Sequence, residues 1–208
     1  MISTAKLIPS FSGLFAKQIA LQPWEMTNNL AAIIAEMIPQ LNEDYIVDKG
    51  IAIHKSATVE QGAVLKAPVI IGMYCFIGAN AYLRGGVYLD SGVKIGTGCE
   101  IKSSVIFSNS AIAHFNFIGD SIIGSQVNFE AGSITANHYN EKIDKNITVV
   151  YNSNILQTGV NKFGALVGDH SKIGANAVLS PGTILLPHSI VKRLELVDQV
   201  NDLNSNRH

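Results

Sequence analysis

Aliphatic residues recur every six positions through most of the chain, and that period restricts the fold more than any other feature. The series runs Ile53, Val59, Leu65, Ile71, Ile77, Leu83, Leu89, Ile95 and Ile101. It slips by one residue to Ile106, Ile112 and Ile118, slips again to Ile123 and Phe129, and resumes at Val167, Ile173, Leu179, Leu185 and Val191. Neither the 3.6-residue period of a helix nor the two-residue alternation of a half-buried strand produces this pattern. It predicts an all-β fold, a parallel β-helix of hexapeptide repeats in which each aliphatic residue points inward and three hexads make a turn of about 18 residues. Successive turns then lie one strand spacing apart, roughly 4.8 Å.

Three segments fall outside the period. Residues 1–50 read as an N-terminal helical connector: PWEMTNNLAAIIAEMIP has Pro23 and Thr27 to open a helix and Pro39 to close it. Leu30, Ile33, Ile34, Met37 and Ile38 keep helical spacing, so this helix is expected to cover an end or side of the coil. Within the coil, placed at 51–193, residues 136–164 break the rule and read as a long inserted loop. Residues 194–208 are expected to be a tail with a short helix.

Composition narrows the setting. The formal net charge is −1 and 15% of residues are charged, which offers no field for nucleic acid or an anionic membrane. No apolar run reaches the length of about 18 residues that a membrane span needs, and MISTAKLIPS has no signal-peptide pattern. The two cysteines, Cys75 and Cys99, make neither a disulfide framework nor a zinc motif, and read as packed thiols. A cytoplasmic protein is the expectation.

A coil of fixed pitch also aligns side chains. Arg84 and Lys102 each follow an inward aliphatic residue and lie one turn apart, with Gly119 next in the column and open space expected above it. Stacked cations repel unless an anion or solvent lies between them. The pair therefore reads either as a solvated edge or as a phosphate site with an Arg fork and a Lys point charge. His114, in AIAHFNFIGDS, reads either as a packed histidine or as a proton acceptor. In the second case Glu100, one turn earlier, would hold one imidazole nitrogen and leave the other free. His170 and His188 are 18 residues apart and raise a metal-hydratase reading, but a zinc site wants a third ligand. No metal is expected.

From Ala81 to about Gly182 the stretches AYLRGG, GCEIKSS, AHFNFIGDSIIGSQVNFEAGSITAN and FGALVGDHSKIGANAVLSPGT carry a resemblance. The chain resembles the acetyltransferase domain of the glucosamine-1-phosphate acetyltransferase/UDP-GlcNAc pyrophosphorylase family, whose hexapeptide coil is left-handed. Even PWE before a helix is similar to the connector of archaeal-type members. The resemblance implies an N-acetyltransferase that uses acetyl-CoA as co-substrate, with no tightly bound cofactor, on an amino-sugar phosphate such as glucosamine-1-phosphate. It implies His114 as general base supported by Glu100, with Arg84 and Lys102 on the sugar phosphate. Asn128 would contact the sugar, and Asn137 would lie near the acetyl group and the pantetheine arm. Ala131 would lie on the CoA side, and Lys192 and Arg193, at the end of the late coils, read either as a solvated basic end or as contacts for the CoA phosphates.

Two departures matter. Phe117 stands where the family has tyrosine, which removes a hydroxyl expected on the substrate phosphate. The family lysine after Asn137 has no gap-free counterpart: Ile143 aligns, and Lys142 is the choice over Lys145. Residues 1–50 cannot hold a nucleotidyltransferase domain and no P-loop pattern opens the chain, so uridylyl transfer is not expected. The resemblance also implies a homotrimer with sites between coils, the 136–164 segment reaching a neighbour. A separate nucleotidyltransferase is a possible partner. The alternative to an enzyme is a non-catalytic hexapeptide protein that binds a sugar phosphate or nucleotide sugar, or scaffolds another protein.

Overall fold

The computed structural model describes residues 1–201. Its body is a three-sided parallel coil. The first face is a seven-stranded sheet built from Thr58–Val59, Phe76–Ile77, Lys94–Ile95, Ala111–Ile112, Asn128–Phe129, Lys172–Ile173 and Ile190–Val191. The second and third faces form one sheet, because the strands Tyr82–Leu89 and Glu100–Ile106 run through the corner between them. Phe117–Gly119, Ile134–Thr135 and Val178–Leu179 continue the second face, and Ile122–Ile123, Ala165–Val167 and Thr183–Leu185 the third.

The residues of the six-residue series form one continuous core down the axis, from Ile71 to Val191. Each one fully buried contributes about 1.5–3 kcal/mol relative to exposure. The period slips where a corner is one residue shorter: Arg84 faces Lys102, 18 positions on, but Val87 faces Ser104, 17 positions on. The turn length stays 17 at the next rungs, where Lys94 faces Ala111 and Ala111 faces Asn128. At Thr135 a hydroxyl residue takes the inward place between Ile118 and Leu179, which hid this rung from the aliphatic pattern. The coil also runs past residue 193, since Leu196–Val197 pairs with Val178–Leu179 and Val197 joins the core. Residues 199–201 are helical, and the rest of the expected tail lies outside the described residues.

Both sides of the third face are apolar, as a sheet buried on both sides requires. Its outward residues Ala52, Ile70, Tyr88, Val105, Ile122, Leu166 and Ile184 form a second core with the N-terminal segment. That segment folds as α1 (Thr4–Leu7), α2 (Phe11–Leu14) and α3 (Pro23–Met37). Pro23, not Thr27, opens α3, and Glu25 reaches back to the Gln22 N–H at 2.7 Å. The helix covers the side of the coil with Trp24, Met26, Leu30, Ile33 and Ile34 buried. Gly86 permits this approach: its φ is +89°, and a β-carbon there would lie 2.7 Å from the Ala31 Cα.

The insertion at 136–164 holds a hairpin, Thr148–Tyr151 with Asn154–Gln157. It does not simply reach away. Ile147, Val149 and Phe163 are buried in the second core, Phe163 meets Trp24 edge to face, and the Tyr139 hydroxyl donates to the Pro181 carbonyl. Apolar burial holds this inner half on its own third face. Glu141 to Asp144 remain exposed.

Candidate active site

The strand pairing sets Arg84 against Lys102 and Lys102 against Gly119, so the expected column exists on the second face. Its electrostatics differ from a bare cation pair. Arg84 donates from Nε to Glu100 Oε1 at 2.7 Å, and its Nη2 lies 2.6 Å from the same oxygen. Lys102 Nζ is 2.5 Å from Asp120 Oδ2, a carboxylate with 5% of its side chain exposed. Each cation therefore carries its own carboxylate, which relieves their mutual repulsion without a bound anion.

The space over Gly119 is not open, contrary to the expectation. A β-carbon there would come within 2.6 Å of Phe117 Cζ and 2.9 Å of Asn137 Nδ2. Phe117 and Gly119 point to the same side of one strand, so the ring folds over the neighbour that has no side chain. Asn137 is buried at the start of the insertion and donates from Nδ2 to Asp120 Oδ2 at 2.5 Å. Arg84, Lys102, Phe117 and Asn137 thus gather along one edge of the second face.

His114 occupies the opposite edge, on the corner between the first and second faces, and is exposed. A core histidine is excluded. Its backbone is fixed: the His114 carbonyl accepts from Gly132 N–H at 2.8 Å and from Asn116 Nδ2 at 3.2 Å. Asn116 is buried and its Oδ1 takes the Ser133 N–H at 2.7 Å, which ties two turns together. Among the described residues no hydrogen bond reaches the imidazole. Glu100 does not orient it. That expectation is corrected, because Arg84 is the diagonal cross-strand neighbour of Glu100 and takes its carboxylate. Ala131 is exposed one turn beyond His114 on the same corner and adds little bulk there.

Asn128 is exposed on the first face, not beside Arg84 and Lys102. There it lines a groove of about 520 Å³ with Glu130, Lys172, Ile190, Lys192 and Arg193. Arg193 grips Glu130 with two hydrogen bonds, of 2.8 and 3.0 Å, and these hold the Glu130 carboxyl down at about 2. Lys142 Nζ sits 3.2 Å above the Tyr139 ring, whereas Lys145 donates to the carbonyls of Tyr139 and Asn140. Lys145 is thereby committed to the shape of the loop, and Lys142 is the more exposed of the two.

Cys75 and Cys99 are buried thiols, and burial pushes Cys75 up to about 11. A neutral buried thiol is no nucleophile. His170 and His188 do stack, ring on ring at 4.8 Å and 2°. Among the described residues no three His, Cys, Asp or Glu side chains gather as a metal site, and no helix is long and apolar enough to cross a membrane.

Residues 80–201 match the family described as the GMPPB C-terminal domain. The chain belongs to that family. The family match and the curated relatives bear out the resemblance drawn from the AHFNFIGDS region. The Bifunctional protein GlmU of Methanococcus vannielii is 39% identical over 98 residues, 47% of this chain and 23% of that protein. A Bifunctional sugar-1-phosphate nucleotidylyltransferase/acetyltransferase of Sulfurisphaera tokodaii is 38% identical over 82 residues, 39% of this chain and 20% of that one. The chain spans less than a quarter of the length of such relatives. A solved hexapeptide transferase family protein from Anaplasma phagocytophilum is 20% identical with a TM-score of 0.40, over 75% of this chain and 79% of that one. The fold assignment rests instead on the strand register, whose rungs are parallel throughout the coil.

Asp120 and Asn116 escaped the sequence reading. Asp120 had a signal in its position, one turn after Lys102 and one before Asn137 on the same corner.

Proposed function

We propose that the chain is an acetyl-CoA-dependent N-acetyltransferase acting on an amino-sugar phosphate. The observation that carries the reading is His114: an exposed imidazole on a corner whose backbone two hydrogen bonds fix, in a chain of this family. A base that must meet a substrate has to be accessible, and an imidazole nitrogen can accept a proton.

In this reading His114 takes a proton from the acceptor's ammonium. The free amine attacks the thioester carbon, the new C–N bond forms, the C–S bond breaks, and the amine's second proton passes to the departing thiolate so that CoA leaves as the thiol, while His114 returns its proton to solvent. Backbone N–H groups stabilise the developing oxyanion. Arg84 and Lys102 attract the sugar phosphate, and a phosphate arriving there competes with Glu100 and Asp120 for them. Lys192, Lys172 and Asn128 form a side that suits CoA phosphates; Arg193 would have to leave Glu130 to join them.

His114 and Asn137 lie on opposite edges of the second face in one chain, and Asn128 on another face. A closed ring of copies, such as a trimer, would bring these edges together. Exposed Val64, Ile134 and Leu196 on the second face give such a contact apolar area.

The experiment is release of free CoA from acetyl-CoA with a panel of amino-sugar phosphates, beginning with glucosamine-1-phosphate. Turnover that needs His114 supports the reading. A second reading, binding without catalysis, is favoured by the Phe117 ring over Gly119. Tight binding of a sugar phosphate with no CoA release by any acceptor would establish it instead.

A further inference from the structure

Asp120 occupies the corner between the second and third faces, with 4% of the residue exposed. A carboxylate so buried needs strong partners. It has two on a single oxygen: Oδ2 accepts from Lys102 Nζ and from Asn137 Nδ2, each at 2.5 Å. The backbone adds two more links, from Asp120 N–H to the Lys102 carbonyl at 2.8 Å and from Gly164 N–H to the Asp120 carbonyl at 2.9 Å. Asn137 opens the insertion and Gly164 closes it, so one residue pins both ends.

An ionised carboxylate accepts hydrogen bonds and donates none. It therefore settles which way the Asn137 amide faces, a choice its shape alone leaves open. The NH2 group points at Asp120, and Oδ1 is turned the other way, 3.2 Å from His138 Nδ1. Asn137 thereby presents Oδ1 as an acceptor on the side away from Asp120, and keeps a second N–H on the Gly119 side.

We propose that Asp120 is a positioning residue for acyl transfer, locking the Asn137 amide with its carbonyl oxygen on the side away from Asp120 and holding Lys102 on the same carboxylate oxygen. A substrate group that meets Asn137 Oδ1 is then an N–H donor, supplied by an amide of the pantetheine arm or by the ammonium of the acceptor. The kinetic part rests on the acetyl-transfer reading above.

The test uses the full chain, with steady-state acetyl transfer for Asp120→Asn and for Asp120→Asn combined with Asn137→Asp. The single change lets the amide at 137 turn over and is expected to lower kcat/KM at least tenfold. The double change puts an acceptor-only carboxylate at 137 facing a new amide donor, and is expected to recover most of that loss. A rise in the KM for acetyl-CoA assigns the N–H to the pantetheine arm, and a rise in the acceptor KM assigns it to the ammonium. Kinetic constants within twofold of the parent for Asp120→Asn, or no recovery in the double variant, overturn the proposal. Exchange of the Asn137 side-chain amide protons in the unaltered chain, followed by NMR, is a readout independent of activity and of how the variants fold. Exchange at least tenfold slower than at exposed Asn109 is expected, and equal rates overturn the lock. If the unaltered chain acetylates no acceptor, the acetyl-transfer reading fails, and the exchange rate alone decides whether Asp120 locks Asn137.

Discussion

Glu100 is bonded to Arg84, with Nε to Oε1 at 2.7 Å, and not to His114. Among the described residues no carboxylate therefore bonds the imidazole of the base proposed for this site. Its position comes from the backbone of the corner, where Asn116 and Gly132 hold the His114 carbonyl.

Replacing His114 should consequently separate activity from stability. His114→Ala is expected to abolish CoA release while changing unfolding free energy by no more than about 0.5 kcal/mol, as for other exposed positions. Urea denaturation and the release assay check this together. A loss of several kcal/mol would return the residue to a packing role.

Phe117→Tyr adds a hydroxyl at Cζ, the atom that lies over Gly119 beside Asn137. One hydrogen bond to a charged group is worth about 1.5–3 kcal/mol, so the KM for glucosamine-1-phosphate should fall roughly tenfold or more. Steady-state kinetics with saturating acetyl-CoA measure it. An unchanged KM would mean that the acceptor phosphate does not approach this ring.

The contact of α3 with the coil depends on the missing side chain at Gly86. Gly86→Ala places a methyl 2.7 Å from the Ala31 Cα at a φ of +89°. Strain and overpacking together should cost about 2 kcal/mol or more, read from chemical denaturation.

Acid should weaken the link between Glu130 and Arg193. The folded carboxyl is held down at about 2 from an ordinary 4.5, chiefly by its hydrogen bonds to Arg193. Its contribution is complete above about pH 4.5 and is lost as pH falls toward 2. Both groups are exposed, so the effect is small. Melting temperatures taken stepwise through that window should fall less in Arg193→Met than in the parent.

The coil was legible because one inward aliphatic residue per hexad is a steric demand repeated at every rung. The same regularity predicted that Arg84 and Lys102 would be neighbours, and strand pairing places them so. Which carboxylate reaches which cation was not legible, because that depends on diagonal reach and not on column. Glu100 pairs across with Tyr82 and Phe117, two positions short of Arg84's own rung partner, and the long arginine side chain spans the offset. Asn116 was hidden for a different reason. It stands two places before inward Ile118, in a series that elsewhere holds Cys75, Ala81, Val93, Cys99, Ser110, Ser133 and Ala177. A larger amide among those small residues marks a rung whose interior is cross-linked by polar bonds.

The sealed third face has a consequence for how copies of this chain can meet. With α3, Phe11, Phe15 and the inner half of the insertion lying over it, that side is already a finished interior. Among the described residues the other two sides present bare strands, and they share the edge that carries His114. If copies close into a ring, their helices stay outside the contacts, which the two bare faces are left to make.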